Sequence, residues 1–136
     1  MGNKVLVINF ENGSVVESKV VDEAIDEVVK KLLIDILPKW SPENSDLIVM
    51  KHEHEVILKL PLSKELYESI AKFGLSRRSE SEVSARIPVY VVSYDNMWVG
   101  DELVDRKFYL VAPYVNEDVK REIELLVKDL TTPESE

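Results

Sequence analysis

The sequence predicts an α+β fold: one antiparallel, or mixed, sheet of five to six strands, with three helices packed mainly on one face. Two observations support this prediction. β-like segments come in pairs joined by short turns, and three segments with helical apolar periodicity separate them, in the order ββαββαββα. Short turns between neighbouring strands favour antiparallel pairing. A length of 136 residues suits a single domain, 1–130, followed by a frayed tail, 131–136.

The chain opens with a predicted β-hairpin over residues 4–21. Two β-rich segments flank Asn12-Gly13, the preferred dipeptide of a tight two-residue turn. The first segment is apolar on both faces, so it is expected inside the sheet. The second carries Glu17, Ser18 and Lys19, which is typical of an edge strand.

Residues 22–37 form the most regular predicted helix. Apolar residues recur there at three- and four-residue spacing, which creates one apolar stripe for the core. Asp22 is the expected N-cap, and Pro38 is expected to end the helix.

Residues 46–60 allow two interpretations. One is a hairpin, in which DLIVMK and EVILKL are short strands and HEHE is a polar turn between them. The other is one continuous strand, which would be long against the usual five or six residues or so. We favour the hairpin, although the turn lacks Gly, Asn and Asp.

The next stretch contains a short predicted helix, Ser63–Phe73. Ser63 suits its N-cap, and Gly74 suits its stop. Residues 75–82 are polar and are expected to be mobile.

The last third contains a predicted strand within 83–94, in which Pro88 implies an edge or a bulge. A turn-rich connection, 95–105, is expected to lead to a strand at 106–112. The final predicted helix, 116–130, has Asn116 as its cap.

The histidines His52 and His54 are the first candidate site, because two imidazoles on one face of a continuous strand could hold a divalent metal. Carboxylates would have to supply the other ligands, since the chain has no third histidine. A two-metal nuclease site beginning at Asp46 is disfavoured, because Lys59 stands four residues after Glu55, where such sites need two. In the hairpin interpretation, the histidines lie in a solvated turn that needs no metal.

Arg77 and Arg78 are the second candidate, a local positive spot in an acidic chain. Guanidinium groups bind phosphates and carboxylates well, which suggests an anion site. The alternative is structural, because basic residues are also favoured after a helix C-terminus.

Tyr94, Met97 and Trp98 are the third candidate, a surface for binding a partner. Aromatic residues and methionine are enriched at the cores of protein interfaces. Trp98 could equally fold back and cover the core.

Composition excludes several classes of protein. The chain has no cysteine, so disulfide scaffolds, thiol catalysis and thiolate metal sites are ruled out. A net charge of −9 makes nucleic-acid binding improbable. The N-terminal residues resemble neither a signal peptide nor a membrane span, so a soluble, cytoplasmic protein is expected. The absence of glutamine, with many Glu and Lys, leans toward a heat-adapted source.

The sequence therefore favours a non-enzymatic interaction or assembly protein that works as a homodimer or complex subunit, with no cofactor and no membrane partner. Gly-rich phosphate loops and a nucleophile elbow are absent from it. Two alternatives are a metal-dependent hydrolase or nuclease that uses His52 and His54, and a regulator that binds small anions through Arg77 and Arg78.

Overall fold

The computed structural model describes residues 4–40, 47–99 and 102–131, with the backbone alone for 95–99, 102–106, 126 and 128–131. Three α-helices and a six-stranded sheet are found in these residues. In chain order the elements are β1 (Val5–Glu11), β2 (Ser14–Val21), α1 (Ile25–Ile36), β3 (Ile48–Lys59), α2 (Lys64–Ala71), β4 (Leu75–Arg77), β5 (Glu82–Val99), β6 (Glu102–Pro113) and α3 (Glu117–Thr131).

The strands pair antiparallel in the order β2-β1-β6-β5-β3, and the short β4 pairs beside the first part of β5. β1 lies inside the sheet and β2 at one edge, as the hairpin pattern predicts. β3 lies at the opposite edge, paired with β5.

The two faces of the sheet carry separate apolar cores. On the front face, Leu6 and Ile8 of β1 pack with buried residues of α2 and α3. On the back face, Val5 and Val7 pack with α1. Successive side chains of β1 therefore enter the two cores alternately, which explains why this strand is apolar on both faces. The predicted α+β class is confirmed, with two helices on one face and α1 on the other.

The predicted hairpin at 46–60 is wrong. β3 runs without reversal from Ile48 to Lys59 and pairs with β5 residue by residue, with no register shift. Two physical reasons explain the difference. The HEHE centre contains no residue suited to a tight turn, and β5, with 18 residues, is long enough to pair with all of β3.

The predicted connection at 95–105 is also wrong, because β5 continues to Val99 and β6 begins at Glu102. The two strands stay paired over this stretch, with shifts in register that mark β-bulges. Residues 75–82 contain a strand and a hydrogen-bonded turn, where the sequence predicted a mobile segment. β4 occupies 75–77, and the backbone N–H groups of Arg78 and Ser79 both donate to the carbonyl of Glu82.

Helix ends follow the capping predictions in two cases of three. The Ser63 hydroxyl accepts from the Leu66 N–H at 3.1 Å, which begins α2, and the Asn116 side chain accepts from the Val119 N–H at 3.0 Å, which begins α3. Asp22 does not cap α1, which starts after Ala24 without a side-chain cap. Among the described helices, none is long and apolar enough to cross a membrane.

Pro88 lies in the interior strand β5, where the sequence predicted an edge or a bulge. On the side away from β3, β4 pairs with residues 83–85 of β5 and β6 pairs from Tyr90 onward. Pro88 falls in the gap between them. A missing N–H group is tolerated there because no described strand pairs on that side.

Candidate self-association edge

The two histidines lie on the front face of β3, as a continuous strand requires. They share this face with the buried Val56 and Leu58. His52 is exposed and His54 is half-buried. On the neighbouring β5, Val89 lies opposite His52, and Ile87 lies opposite His54. The two histidines therefore lie on a strand beside apolar residues of β5, and they are not in a solvated turn.

One chain does not complete a metal site in the part that the structure describes. No group of three or more His, Asp or Glu residues there is arranged to hold an ion. Alternation along β3 places Glu53 and Glu55 on the back face, away from both imidazoles. Metal binding by His52 and His54 stays a prediction, and it needs ligands from elsewhere.

The back face of β3 carries a row of charged contacts. The Arg78 guanidinium lies 2.6 Å from the Glu55 carboxylate, and Arg86 lies 4.0 Å from Glu53. The Lys51 ammonium lies 5.4 Å from the centre of the Tyr90 ring. Exposed pairs of this kind each contribute little to stability, from nothing to about 1 kcal/mol. Their effect is to hold the charged side chains of β3 against β5 and its flanking turn.

The two arginines are engaged within the chain. Arg78 holds Glu55, and an Arg77 N–H donates to the backbone carbonyl of Glu80 at 3.2 Å. These bonds favour the structural interpretation of Arg77 and Arg78. A dedicated anion site stays a prediction.

Of the three candidate residues for partner binding, Tyr94 alone has a described side chain. The Tyr94 ring stacks on Tyr109 at 5.4 Å on the back face, beside the core under α1. Its hydroxyl lies 3.3 Å from the Asn9 side-chain oxygen. The side chains of Met97 and Trp98 lie outside the described residues. Their backbone belongs to the outer part of β5, where Trp98 pairs with Leu103.

β3 is an open edge with exposed apolar residues. In the described part of the chain, no strand pairs with its outer side. Ile48, Val49 and Met50 are 42%, 43% and 48% exposed. Long, unprotected edges with apolar side chains are templates for pairing with another strand. The apolar residues of this edge are present in the sequence, but the hairpin interpretation did not predict that they form one long edge strand.

The pattern of β3 is also symmetric. Its first eleven residues read IVM-KHEHE-VIL, three apolar residues on each side of five polar ones, with Glu53 at the centre. An antiparallel copy reads the same pattern in reverse. A strand of this kind can therefore lie against a second copy of itself with apolar opposite apolar and polar opposite polar.

β2, the other edge, carries a similar pattern that is interrupted. Val15, Val16 and Val20 are exposed there, and Ser18 lies at the centre of VVESKVV. A bulge breaks its register with β1, because Asn9 pairs with Glu17 while the next residue pairs with Val15. Bulges twist an edge away from regular pairing, which is one way that proteins protect edges.

A cleft of about 910 Å³ lies at the gap in the sheet beside Pro88. Its walls include α2, the start of α1 and the segment after β6, with both acidic and basic side chains such as Glu68 and Lys72. Next to it, the Tyr114 hydroxyl donates to Glu117 at 2.7 Å, and this bond raises the pKa of the tyrosine. The mixed charge favours no single class of ligand.

Comparison with known proteins identifies a family but no activity. No curated protein and no solved structure matches the chain. Residues 4–132 match a family described as an uncharacterized protein conserved in archaea (DUF2286). The match takes in every strand and helix described above. The chain therefore belongs to the archaeal family DUF2286.

Proposed function

We propose that the protein is a non-enzymatic interaction protein that works as a homodimer, joined by antiparallel pairing of β3 with β3 of a second copy. The observation that carries this proposal is the open β3 edge with its symmetric pattern around Glu53. Adding a strand at a sheet edge gains a row of backbone hydrogen bonds, and side chains set the register.

The register centred on Glu53 matches the side chains of the two copies. Within residues 48–58, every apolar residue lies opposite an apolar residue, and Lys51 lies opposite a carboxylate. The pairs are Ile48 with Leu58, Val49 with Ile57, Met50 with Val56, Lys51 with Glu55, His52 with His54, and Glu53 with its own copy.

Neighbouring registers match less well. A shift of one residue is excluded, because alternate residues of a strand direct their backbone groups outward. Centring the pair on His54 places Glu53 opposite Glu55 twice, and like charges directly opposite are destabilising. Centring it on His52 places Val49 opposite Glu55. The Glu53 register has one like-charged pair, and Arg86 lies 4.0 Å from each of those carboxylates.

β3 is preferred to β2 as the dimer edge for a geometric reason. β3 pairs with β5 over twelve residues without a shift, so its outward backbone groups alternate regularly. The bulge at Val16 interrupts that alternation in β2. A partner strand could therefore follow β3 along its whole length, but β2 only in part.

The alternatives from the sequence have less support. A metal-dependent hydrolase needs a third ligand, and no group of three exists in the described residues of one chain. An anion-binding regulator needs donors from Arg77 and Arg78, and both side chains already bond within the chain.

The test is sedimentation equilibrium in the presence of a chelator, on the full chain and two matched variants. Val49→Lys places an ammonium opposite Ile57 of the other copy, and we expect it to give monomers. Val16→Lys makes the same change at an exposed valine of β2 and should leave the dimer intact. Circular dichroism checks that both variants fold. A monomeric wild-type chain would refute the proposal, and so would a dimer that only Val16→Lys disrupts.

A further inference from the structure

We propose that the dimer binds one divalent transition-metal ion of the zinc class, between four imidazoles at its two-fold axis. This inference rests on the proposed function, because each copy supplies only two of the ligands, His52 and His54. The pairing centred on Glu53 places His52 of each copy directly opposite His54 of the other. All four imidazoles then lie on the front face, around one point.

The spacing of the four residues fits a single ion. Directly opposite residues of an antiparallel pair have Cα atoms about 4.5–5.5 Å apart. His52 and His54 of one strand are separated by about 6.6 Å. Each Cα then lies roughly 4 Å, measured in the sheet, from the centre of the group, since the diagonals are about 7–8 Å. That distance is within reach of a histidine side chain, so four ring nitrogens can converge above the sheet.

The surroundings favour an all-imidazole site. Val89 and Ile87, opposite the histidines on β5, are buried and apolar. Glu53 and Glu55 lie on the back face, where they contact Arg86 and Arg78. The chain has no cysteine to supply a thiolate. Imidazole ligands suit zinc, copper and nickel, and four of them complete the tetrahedral sphere of a structural zinc site.

One nitrogen of each ring is enough for this site. The second nitrogen of a metal-bound histidine ordinarily donates a hydrogen bond to a neighbouring group. His54 is half-buried and has an interaction within the chain, so one of its ring nitrogens would bind the ion while the other serves a neighbouring group. The ion would tie the two strands together at the centre of their interface.

The test measures zinc content and dimer affinity together. After dialysis against zinc, elemental analysis should give one zinc per two chains. With zinc at a hundredfold excess over its dissociation constant, the dimer should tighten about 100-fold relative to chelator, because the ion binds the dimer alone. His52→Asn and His54→Asn should lose both effects, and the zinc response of each variant is measured against the same variant in chelator. Glu80→Gln, an exposed carboxylate outside β3, controls for nonspecific binding and should keep both effects.

The outcomes separate the two proposals. A dimer in chelator that binds no zinc overturns the metal site and leaves the proposed function standing. One zinc per chain on a monomer, or zinc binding that survives both histidine variants, also overturns the metal site. A chain that stays monomeric with and without zinc overturns both proposals. Tetrahedral Co(II) absorption that requires both histidines supports the site by an independent signal.

Discussion

A single cysteine at position 53 should cross-link the protein to itself. Glu53 lies at the centre of the proposed register, so it is the one residue of β3 that meets its own copy. The wild-type chain contains no cysteine, so the new thiol has no other partner. Glu53→Cys should therefore form a disulfide-linked dimer under mild oxidation.

Strand geometry gives the Cα–Cα distances that decide which cysteine variants can cross-link. At the centre, the two Cα atoms would be about 4.5–5.5 Å apart, inside the range of roughly 4.4–6.8 Å that disulfides need. Lys51 lies on the same face, but its own copy is displaced by four residues, or about 13 Å along the strand. Lys51→Cys should therefore not cross-link, although Lys51 is also exposed on the same edge.

Non-reducing gel electrophoresis at low protein concentration reads out the result. Ser18→Cys tests the rival edge, because Ser18 is the centre of the β2 pattern. The reasoning fails if Lys51→Cys cross-links as fast as Glu53→Cys, since the register would then be wrong. It also fails if Ser18→Cys alone cross-links, since the dimer would then use β2.

Four further outcomes follow from the structure. Glu53→Gln removes the like-charged pair at the axis and should tighten the metal-free dimer up to about fivefold, measured by sedimentation. Asn116→Ala removes the cap of α3 and should cost about 1 kcal/mol in urea unfolding. Phe108→Ala empties a fully buried site that stacks on Phe10 and should cost about 3–5 kcal/mol in the same assay. Burial, with nearby carboxylates, raises the pKa of Tyr109. In the unfolded chain this tyrosine therefore ionises first, and the free energy of unfolding falls as the pH rises above 10.0. Tyr109→Phe should make that fall smaller, measured by urea unfolding at alkaline pH.

Local signals in the sequence predicted much of this fold. The Asn12-Gly13 turn and the caps at Ser63 and Asn116 depend on residues within one turn of each other, so short windows of sequence contain them. The contact between Arg78 and Glu55 could not be predicted in this way. It joins residues 23 apart, and it exists only because β4, β5 and β3 lie side by side.

The error at 46–60 and the proposed dimer have the same origin. In a hairpin centred on Glu53, Met50 would pair with Val56 within one chain. The proposed dimer makes the same pair between two chains. A strand with a symmetric pattern can place apolar residues opposite apolar residues in two ways. It can fold back on itself as a hairpin, or it can pair with a second copy, and the local sequence does not distinguish the two. Folding back requires a tight turn, and the His-Glu-His centre is poorly suited to one.

Pairing with β5 decides between these two possibilities. β5 offers all twelve residues of β3 a partner on one side, which no hairpin of the same segment could match. On the outer side of β3, no described strand pairs with the symmetric pattern, and Ile48, Val49 and Met50 stay exposed. An edge strand without a partner would be expected to carry a pattern that resists its own copy, through like charges or a bulge. β3 has one such like-charged pair, Glu53 with its own copy, but its other residues match their copy, so the residue at the centre of the predicted turn becomes the centre of the proposed two-fold axis.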